Sequence, residues 1–344
     1  MNRSELPRLD FVVIGVNAEA TLSACLVSIL RTDYPEDLKR IYYVDGGSSD
    51  GSRELALKFP GVVVIELGLT HPTPGAGRNA GWRAGGAPMV FFLDSDTEVA
   101  PGFPRQAIGA FDQSVGAVQG KRLEKNPRGS VYNWIGDQEW QGSAGPAREF
   151  GGDVVVRREA LEATGGYDAE LIAGEDPELS QRLQKLGWGI TRLDCLMTLH
   201  DLAMTRLAQY WRRAFRSGYA YASVRRLHGE SDFWQVEARR IRVRGGLSLS
   251  FLLVGLVMGL MGQVLIASCC FLIALVLLFF PLIFRLGYFR RAKKLGLEAA
   301  LIYAVHCSVV VIPQWFGMVR FELGRMLGAP LRNQPAALKT GTGL

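Results

Sequence analysis

Two aspartates separated by one serine, Asp94 and Asp96, follow the apolar run at residues 89–93. The run comes directly after a proline and is typical of a buried strand, which would carry both carboxylates to the rim of a sheet. Carboxylate oxygens are the ligands that a hard divalent cation, such as Mg or Mn, takes. We expect the chain to bend after Leu93 so that both acids meet one cation. The alternative is a solvated turn without a ligand.

A third aspartate, Asp45, follows the apolar run at residues 41–44 and opens the segment 45–52, which holds three glycines and three serines. Glycines let the backbone approach a ligand closely, and a polar residue such as Asp50 can cap the helix that follows. Open α/β sheets bind ligands just beyond the carboxyl ends of their strands, which is where Asp45 lies. The alternative is a tight turn that only caps a helix.

One arginine, Arg78, lies in a run of small residues at 75–85 that predicts a helix packed closely against a sheet. The guanidinium group of such an arginine can form a bidentate contact with a phosphate and neutralise it. The alternative is an arginine at the surface with no ligand.

Four short apolar runs must position these side chains, and helical patterns separate them. The runs are residues 11–15, 41–44, 62–66 and 89–93. This alternation of strands and helices predicts an α/β fold with a doubly wound sheet, whose ligand-bearing loops gather at one edge.

A further acidic pair, Glu175 and Asp176, precedes Pro177. Proline suits the first turn of a helix and aspartate suits the cap position before it, so Asp176 can be explained as a structural cap. A helix N-terminus also favours the ionised form of a carboxylate, which a general base needs. Downstream of a strand predicted at 189–194 stands His200, and a lone histidine is more often structural than a ligand.

The order and spacing of these motifs resemble the family 2 glycosyltransferases, whose GT-A nucleotide-diphospho-sugar transferase fold has a Rossmann-like mixed sheet. The resemblance covers roughly residues 8–225. It is carried by the segments at 13–30, 45–52, 77–81, 94–96 and 151–179. Such a domain, followed by an α-helical membrane region, is the fold class that the resemblance implies.

The resemblance implies a nucleotide-sugar site and a metal site. In such enzymes Asp45 would read the nucleotide base, and Arg78 would lie near the nucleotide or the diphosphate. Asp94 and Asp96 would hold the ribose and a divalent cation, Mg or Mn. His200 resembles the single histidine that contributes to metal or diphosphate binding late in these folds.

The resemblance also implies the reaction. Asp176 would be the catalytic base that takes the proton of an acceptor hydroxyl as its oxygen attacks the anomeric carbon opposite the departing diphosphate, so the configuration inverts. Glu175 beside it would belong to the nucleotide-sugar site. Residues 209–213 resemble the Gln-x-x-Arg-Trp box of polymer-making members, in which Arg212 would grip the diphosphate. Arg213 stands where that box has tryptophan, which argues against processive synthesis.

The basicity of the chain is confined to one segment. The formal charge is +6, yet residues 202–246 alone carry ten arginines against three acids, a net charge of +7. Such a segment before apolar helices favours an anionic membrane surface, and no nucleic-acid partner is expected. Five cysteines without a Cys-x-x-Cys pair indicate reduced thiols, and the polar residues 1–10 argue against a signal peptide.

An uncharged run at residues 247–284 is too long for one crossing of a membrane. A single helix would be about 57 Å long against a hydrocarbon core of about 30 Å. Two helices at 247–262 and 264–284 are therefore predicted, with both basic flanks on the cytosolic side. A third apolar segment at 299–319 has no charged residue and is predicted to span as well.

The predicted organisation is a GT-A domain at 1–201, basic amphipathic juxtamembrane helices at 202–246, a transmembrane region at 247–320 and a tail at 321–344. We expect a membrane-bound inverting enzyme that moves a sugar from a nucleotide-diphospho-sugar to a lipid-linked or saccharide acceptor, in polysaccharide or glycolipid synthesis. Its expected place is the inner membrane, among membrane lipids, with the catalytic domain in the cytoplasm. The alternatives are a sugar nucleotidyltransferase and a non-catalytic nucleotide-sugar-binding component of a polysaccharide export assembly.

Overall fold

A computed structural model describes residues 6–329, which form two compact units, one ending at Thr205 and the other beginning at Arg206. The strands of the first unit are β1 (Leu9–Gly15), β2 (Lys39–Asp45), β3 (Val62–Glu66), β4 (Met89–Asp94), β5 (Thr97–Val99), β6 (Val115–Glu124), β7 (Gly145–Pro146), β8 (Val154–Arg157) and β9 (Gly189–His200). Its helices are α1 (Glu19–Leu30), α2 (Ser52–Leu57), α3 (Pro74–Ala84), α4 (Phe103–Gly109), α5 (Val131–Trp140), α6 (Arg158–Thr164) and α7 (Glu175–Lys185), with a 3₁₀ turn at Glu36–Leu38.

The nine strands form one mixed sheet in the order β3-β2-β1-β4-β8-β6-β9-β5, with β7 beside β9. The first four strands in this order are parallel, as the alternation of strands and helices predicted. β8 then runs antiparallel to both of its neighbours, and β5 runs antiparallel to β9. Parallel neighbours need helical crossovers, so helices cover this half of the sheet, and both of its faces are buried.

Strand register brings the predicted aspartates to one edge of the sheet. β1 lies between β2 and β4, with Gly15 opposite Asp45 and Ile14 opposite Asp94. Two interstrand spacings separate the Cα atoms of these aspartates, which is about 10 Å. The chain turns at residues 95–96, one residue later than the predicted bend, because β4 continues through Asp94.

The core has two layers because successive residues of a strand point to opposite faces. Phe11 and Phe91 pack on one face with α1 and α4, whereas Val12 and Phe92 pack on the other with Trp82 of α3. Since both faces are covered, β1 and β4 are apolar throughout their central residues instead of alternating. This explains the short continuous apolar runs in the sequence.

The small-residue helix predicted at 75–85 is α3, and its glycines let it approach β1 closely. A Cβ atom placed on Gly81 would lie 2.3 Å from Val12 Cγ1, and one on Gly77 would lie 3.3 Å from Ile14 Cγ2. The helix begins at Pro74 after Thr73, whose hydroxyl accepts from Ala76 N at 3.0 Å. The close approach brings Arg78 over the end of the sheet.

The polar segment at residues 121–149 shows no helical or strand periodicity in the sequence, yet it contains regular structure. β6 continues to Glu124, and α5 occupies Val131–Trp140. Ser130 caps α5 by accepting from Asn133 N at 3.0 Å. β9 likewise extends past the predicted 189–194 and ends at His200.

The second unit is helical. Its elements are α8 (Leu207–Leu227), α9 (Gln235–Arg240), a π-helical turn (Ile241–Gly246), α10 (Leu247–Leu260), α11 (Val264–Ala292), α12 (Leu297–Val309) and α13 (Val311–Met326). Among residues 6–329, three helical stretches are long and apolar enough to cross a membrane: Gln235–Leu260, Val264–Ala292 and Leu297–Met326. The turn predicted near Gly262 lies between the first two, with a glycine φ of 77°. Of the predicted tail at 321–344, the part from residue 330 lies outside the described residues.

The contact between α3 and β1 can be tested with Gly81→Ala. The added methyl group would overlap Val12, so we expect a loss of about 1–3 kcal/mol in the free energy of unfolding. Gly86→Ala is the matched control because nothing lies within 4 Å of a Cβ atom there. Urea unfolding followed by tryptophan fluorescence measures both, and equal stability of the two variants would contradict the close packing.

Candidate active site

Arg78 lies at the centre of the site and is 2% exposed. Its Nη1 atom donates to Glu175 Oε1 at 2.7 Å and lies 3.6 Å from Asp176 Oδ1, while its Nη2 atom donates to Asp94 Oδ1 at 2.9 Å. The guanidinium also lies over the Tyr167 ring, 5.4 Å from its centroid. Acids from two distant parts of the chain therefore surround one buried cation, which excludes the alternative of a surface arginine.

Asp94, the last residue of β4, accepts from two arginines. Arg78 contacts its Oδ1 atom, and Arg122 donates to its Oδ2 atom at 2.9 Å. Burial acts to raise the pKa of Asp94, but the two guanidinium groups outweigh it and lower that pKa to about 2. Asp94 is therefore ionised at physiological pH, and each of its oxygens keeps a lone pair for another ligand.

Arg122, on β6, links Asp94 to a second buried acid. Its Nε atom lies 3.0 Å from Asp153 Oδ2, and its guanidinium lies over the Trp140 ring, 5.1 Å from the centroid. The Asp153 side chain is fully buried and accepts from Thr198 Oγ1 at 2.6 Å. Burial raises the pKa of Asp153, and the charge of Arg122 opposes this effect.

Asp94, Asp96 and His200 form the cation cluster, in which the three candidate ligand atoms all lie within 4.8 Å of one another. Strand pairing places His200 opposite Thr97 and thus next to Asp96. His200 Nε2 lies 3.2 Å from Asp96 Oδ1, a buried oxygen that makes no hydrogen bond within the described residues. A divalent cation would satisfy an acceptor buried in this way. Two carboxylates and an imidazole therefore fit the predicted cation.

Glu175 and Asp176 are the first two residues of α7, and Gly174 before them has a φ of 90°. The prediction that Asp176 occupies the cap position is wrong, because the left-handed Gly174 takes that position and the helix starts two residues earlier than predicted. Burial raises the pKa of Asp176 well above its ordinary value; Arg78 opposes this effect, and Glu175 and Asp94 add to it. Burial therefore opposes the ionised form, which the helix N-terminus was expected to favour.

Asp45, the last residue of β2, is 4% exposed and holds the loop that follows it. Its Oδ2 atom accepts from the backbone N–H groups of Gly47 and Ser48 at 3.0 and 2.9 Å. Asn17, with a φ of 54°, accepts through Oδ1 from Ser49 N at 2.8 Å. The loops after β1 and β2 are thus joined at the edge of the sheet that carries the cation cluster, although Asp45 itself does not contact Arg78.

Gly152 and Trp140 complete the site without having been singled out in the sequence. A Cβ atom on Gly152 would lie 2.6 Å from Asp94 Oδ2 and 2.7 Å from Arg78 Nη2, so only glycine leaves room for that ion pair. Trp140 ends α5, and its ring meets the His200 imidazole edge-on at 4.9 Å. The available signals were a Gly-Gly-Asp motif before a strand and an aromatic residue in a polar segment.

Of the predicted site residues, Arg212 belongs to the second unit, where its side chain is exposed on α8. Its contact with a diphosphate stays a prediction.

The arrangement in the first unit has two chemical capacities. With a divalent ion bound, the cation cluster would suit an anionic leaving group such as a diphosphate. Asp176, a carboxyl group with a raised pKa, suits a base that accepts a proton. Arg78 contacts Asp94 of the cation cluster and also Asp176, so a change at either of these acids also affects the surroundings of the other.

The sequence matches the family described as Glycosyl transferase family 2 over residues 10–157. It matches Glycosyl transferase family group 2 over residues 89–312, which is well over half of the chain. The chain is a member of glycosyl transferase family 2. The resemblance carried by the motifs is thereby confirmed.

Relatives of this family 2 member are moderately similar in sequence. The probable glycosyltransferase YdaM of Bacillus subtilis (strain 168) is 25% identical over 70% of this chain and 61% of its own length. The succinoglycan biosynthesis protein ExoA of Rhizobium meliloti (strain 1021) is 26% identical over 54% of this chain and 61% of its own. The beta-monoglucosyldiacylglycerol synthase of Trichormus variabilis is 24% identical over 68% and 52%. The chain thus spans about half to three fifths of these relatives.

Two solved structures share the fold. The mannosyltransferase PcManGT from Pyrobaculum calidifontis, in complex with GDP-Man and Mn²⁺, superposes with a TM-score of 0.56 at 17% identity, covering 95% of this chain and 88% of its own. TarS 1-349 of S. aureus, in complex with UDP, gives 0.52 at 16% identity, covering 93% and 92%. At identities this low, the similarity of the structures shows the fold alone. It confirms the predicted GT-A-type α/β domain.

We expect the purified glycosyltransferase family member to bind Mn²⁺, and Asp96→Asn to weaken this binding by about tenfold or more, because a neutral amide replaces a charged ligand. The electron paramagnetic resonance signal of free Mn²⁺ during titration measures the affinity. Glu98→Gln removes one negative charge two residues away and should bind like the unaltered protein. Equal weakening in both variants would show that the cluster does not hold the ion.

The central position of Arg78 predicts a large effect on stability. Arg78→Leu leaves buried carboxylates without their cation, so we expect a loss of about 3–5 kcal/mol in the free energy of unfolding. Arg83→Leu, on the same helix, removes an exposed hydrogen bond to Gly165 O and should cost much less. Chemical unfolding at pH 7 compares the two, and similar losses would rule out the charge network as the cause.

Proposed function

We propose that the protein transfers a sugar from a nucleotide-diphospho-sugar to a lipid-linked or saccharide acceptor, with inversion at the anomeric carbon. The observation that carries this proposal is the contact of one buried arginine, Arg78, with both halves of the site. Arg78 holds Asp94 of the cation cluster on one side and the Glu175–Asp176 pair on the other. The proposed leaving-group site and the proposed base would thus belong to one network at the carboxyl edge of the sheet.

The donor is proposed to bind along that edge. Asp45 and its loop offer a carboxylate and a close backbone for the nucleotide base and ribose. Membership of family 2 supports a nucleotide-sugar donor, as do the nucleotide complexes of two proteins with the same fold, one with GDP-Man and one with UDP. Arg212 is proposed to contact the diphosphate.

The cation cluster would hold a divalent ion through Asp94, Asp96 and His200. Bound there, the ion supplies charge that stabilises the departing diphosphate. The imidazole favours a first-row transition ion such as Mn²⁺ over Mg²⁺, which prefers oxygen ligands only. Arg122 and Arg78 fix the orientation of Asp94, so the carboxylate is ready for its ligand.

Asp176 is proposed to be the base. Its pKa is raised by burial, while the ion contact with Arg78 keeps the ionised form accessible. A carboxylate whose pKa is raised is a stronger base, which favours transfer of the acceptor hydroxyl's proton to it. Glu175 orients Arg78 through the 2.7 Å hydrogen bond, and thereby Asp176 beside it.

The acceptor is proposed to be presented at a membrane. Three candidate spanning helices follow the first unit, and both basic flanks of the hairpin from 247 to 284 favour the cytosolic side. One relative is named for a glycolipid, beta-monoglucosyldiacylglycerol, and another for succinoglycan biosynthesis. We place the enzyme in the inner membrane with its catalytic unit in the cytoplasm, acting in glycolipid or polysaccharide synthesis.

Asp176→Asn tests the base. We expect transfer to fall by about 10²–10⁴-fold, the usual contribution of a general base, with donor affinity retained. Because the raised pKa shows that the ionised form is disfavoured in the folded state, the same variant should unfold at a higher temperature at pH 7. Radiolabelled transfer to lipid extract and thermal unfolding measure the two effects.

Glu162→Gln, an exposed acid on α6, is the control and should change neither quantity. Near-normal transfer by Asp176→Asn would refute the role of the base. The released product addresses the alternative activities: a nucleoside diphosphate is expected, whereas pyrophosphate would indicate a nucleotidyltransferase. Absence of any donor turnover would indicate a binding protein.

A further inference from the structure

Three arginines of the second unit, Arg240, Arg244 and Arg285, form a cluster that the sugar-transfer site does not use. They belong to two helical stretches long enough to span a membrane, Gln235–Leu260 and Val264–Ala292. Arg240 and Arg285 both act electrostatically on Arg244, and no acid among residues 6–329 does so on Arg244 or Arg285. The cluster therefore concentrates positive charge without a counter-charge in the described chain.

Arg244 is fixed by a break in the neighbouring helix. Pro281 lies inside α11 and has no N–H group, so the carbonyl four residues earlier loses its helical donor. That carbonyl, Leu277 O, accepts from Arg244 Nε at 3.2 Å, and Leu278 O accepts from Arg244 Nη2 at 2.6 Å. Arg244 thus satisfies backbone acceptors that apolar surroundings would leave unpaired.

Arg285 is held in a similar way, by a donor bond from its Nη1 atom to Cys307 O at 2.6 Å near the end of α12. Other donor atoms of the cluster are unused. Arg240 Nε and Arg244 Nη1 are buried, and neither has a hydrogen-bond partner within the described residues. Two arginines are therefore anchored to backbone carbonyls, while the cluster as a whole keeps donors for a ligand.

The backbone at the cluster is unusual as well. The π-helical turn Ile241–Gly246 contains Arg244, and such widened turns are frequent at functional sites. Its two glycines pack against α13: a Cβ atom on Gly245 would lie 2.6 Å from Val311 O, and one on Gly246 would lie 2.7 Å from Trp315 Nε1. The turn thus packs closely against α13, and this packing fixes the direction of Arg244.

The depth of the cluster matches that of lipid headgroups. Arg240, Arg244 and Arg285 are 18 to 23 residues from Gly262 at the tip of the α10–α11 hairpin, or roughly 27–35 Å at the rise of an α-helix. The hydrocarbon core is about 30 Å thick, so a hairpin with its tip at one boundary carries the cluster to the other. Lipid phosphates lie at that boundary.

We propose that Arg240, Arg244 and Arg285 bind the phosphate of a lipid headgroup. Charged side chains in membrane helices are costly without partners, and a phosphate supplies the missing negative charge. Guanidinium groups match phosphate oxygens in bidentate geometry, and the apolar faces of the helices accommodate the lipid tail. The inference rests on the second unit alone and does not depend on sugar transfer.

The full chain, purified in detergent, tests the proposal by native mass spectrometry with four probes. These are farnesyl phosphate, farnesol, phosphatidylglycerol and inorganic phosphate. We expect the phosphate-bearing lipids to bind and farnesol and inorganic phosphate to bind far more weakly. The double variant Arg240→Gln/Arg285→Gln should lose about 30-fold in affinity, as expected for two arginines at a membrane surface. Arg244 stays unaltered, because it also supports α11.

Arg239→Gln/Arg290→Gln is the matched control, since both side chains are exposed on the same helical stretches and the variant removes the same charge. Its affinity should change little. Arg240→Gln alone guards against misfolding, because the Arg240 side chain makes no hydrogen bond in the described structure, and it should show part of the loss.

Tighter binding of farnesyl phosphate than of phosphatidylglycerol assigns the site to an acceptor-type lipid phosphate, and equal binding assigns it to bilayer phospholipid; either supports the site. Equal loss in the control, or equal binding of farnesol, overturns it.

Discussion

The ion pairs of Arg78 are the constraint on which the first unit depends. A guanidinium group that is 2% exposed is tolerated only if acids surround it, and here they come from the end of β4 and the start of α7. The arginine reaches them because the glycines of α3 let that helix lie close to β1. Gly152 leaves the remaining space that the pair with Asp94 occupies. The packing of α3, the end of β4 and the start of α7 together therefore accommodate one buried charge.

The same network divides the acids into two electrostatic classes. Asp94 has a lowered pKa, so it contributes stability that is fully present above its unfolded pKa, about 3.9, and is lost as the pH falls through about 2. Asp153 and Asp176 have raised pKa values, and their ionised forms are disfavoured in the folded state. Their contribution therefore runs in the opposite direction and grows as the pH falls. The burial of these two carboxyl groups therefore costs stability as the pH rises.

The sequence motifs predicted which residues stand at the ends of strands better than they predicted the contacts between separate segments of the site. Asp45, Asp94 and Asp96 follow or end apolar runs, so the rule that parallel strands present ligands at their carboxyl ends was enough to bring them to one edge, whereas His200 was assigned by resemblance. The Glu175–Asp176 pair was placed by resemblance, and its helix begins two residues earlier than the composition indicated. The resemblance also fixed the family and the fold, both of which the comparisons confirm.

What the sequence could not provide depends on contacts between distant segments. Helix α5 has no apolar stripe because it buries polar residues through hydrogen bonds: Asn133 donates to Glu124 Oε1 and accepts from Met204 N. The sequence of α5 therefore shows no helical periodicity. For the same reason, the position of Trp140 against His200 could not be predicted from the sequence. Nothing in the sequence distinguishes Arg122 from the other arginines. Only the extension of β6 past Gln119 places its side chain between Asp94 and Asp153.

The balance of charge at the site has a consequence for how the proposed donor and a divalent ion bind together. Five acids, at positions 94, 96, 153, 175 and 176, stand against Arg78 and Arg122. If the proposed donor binds there, a divalent ion that binds with it would offset the excess of acids over arginines. Donor and ion would then raise each other's affinity by the same factor, because such coupling is reciprocal.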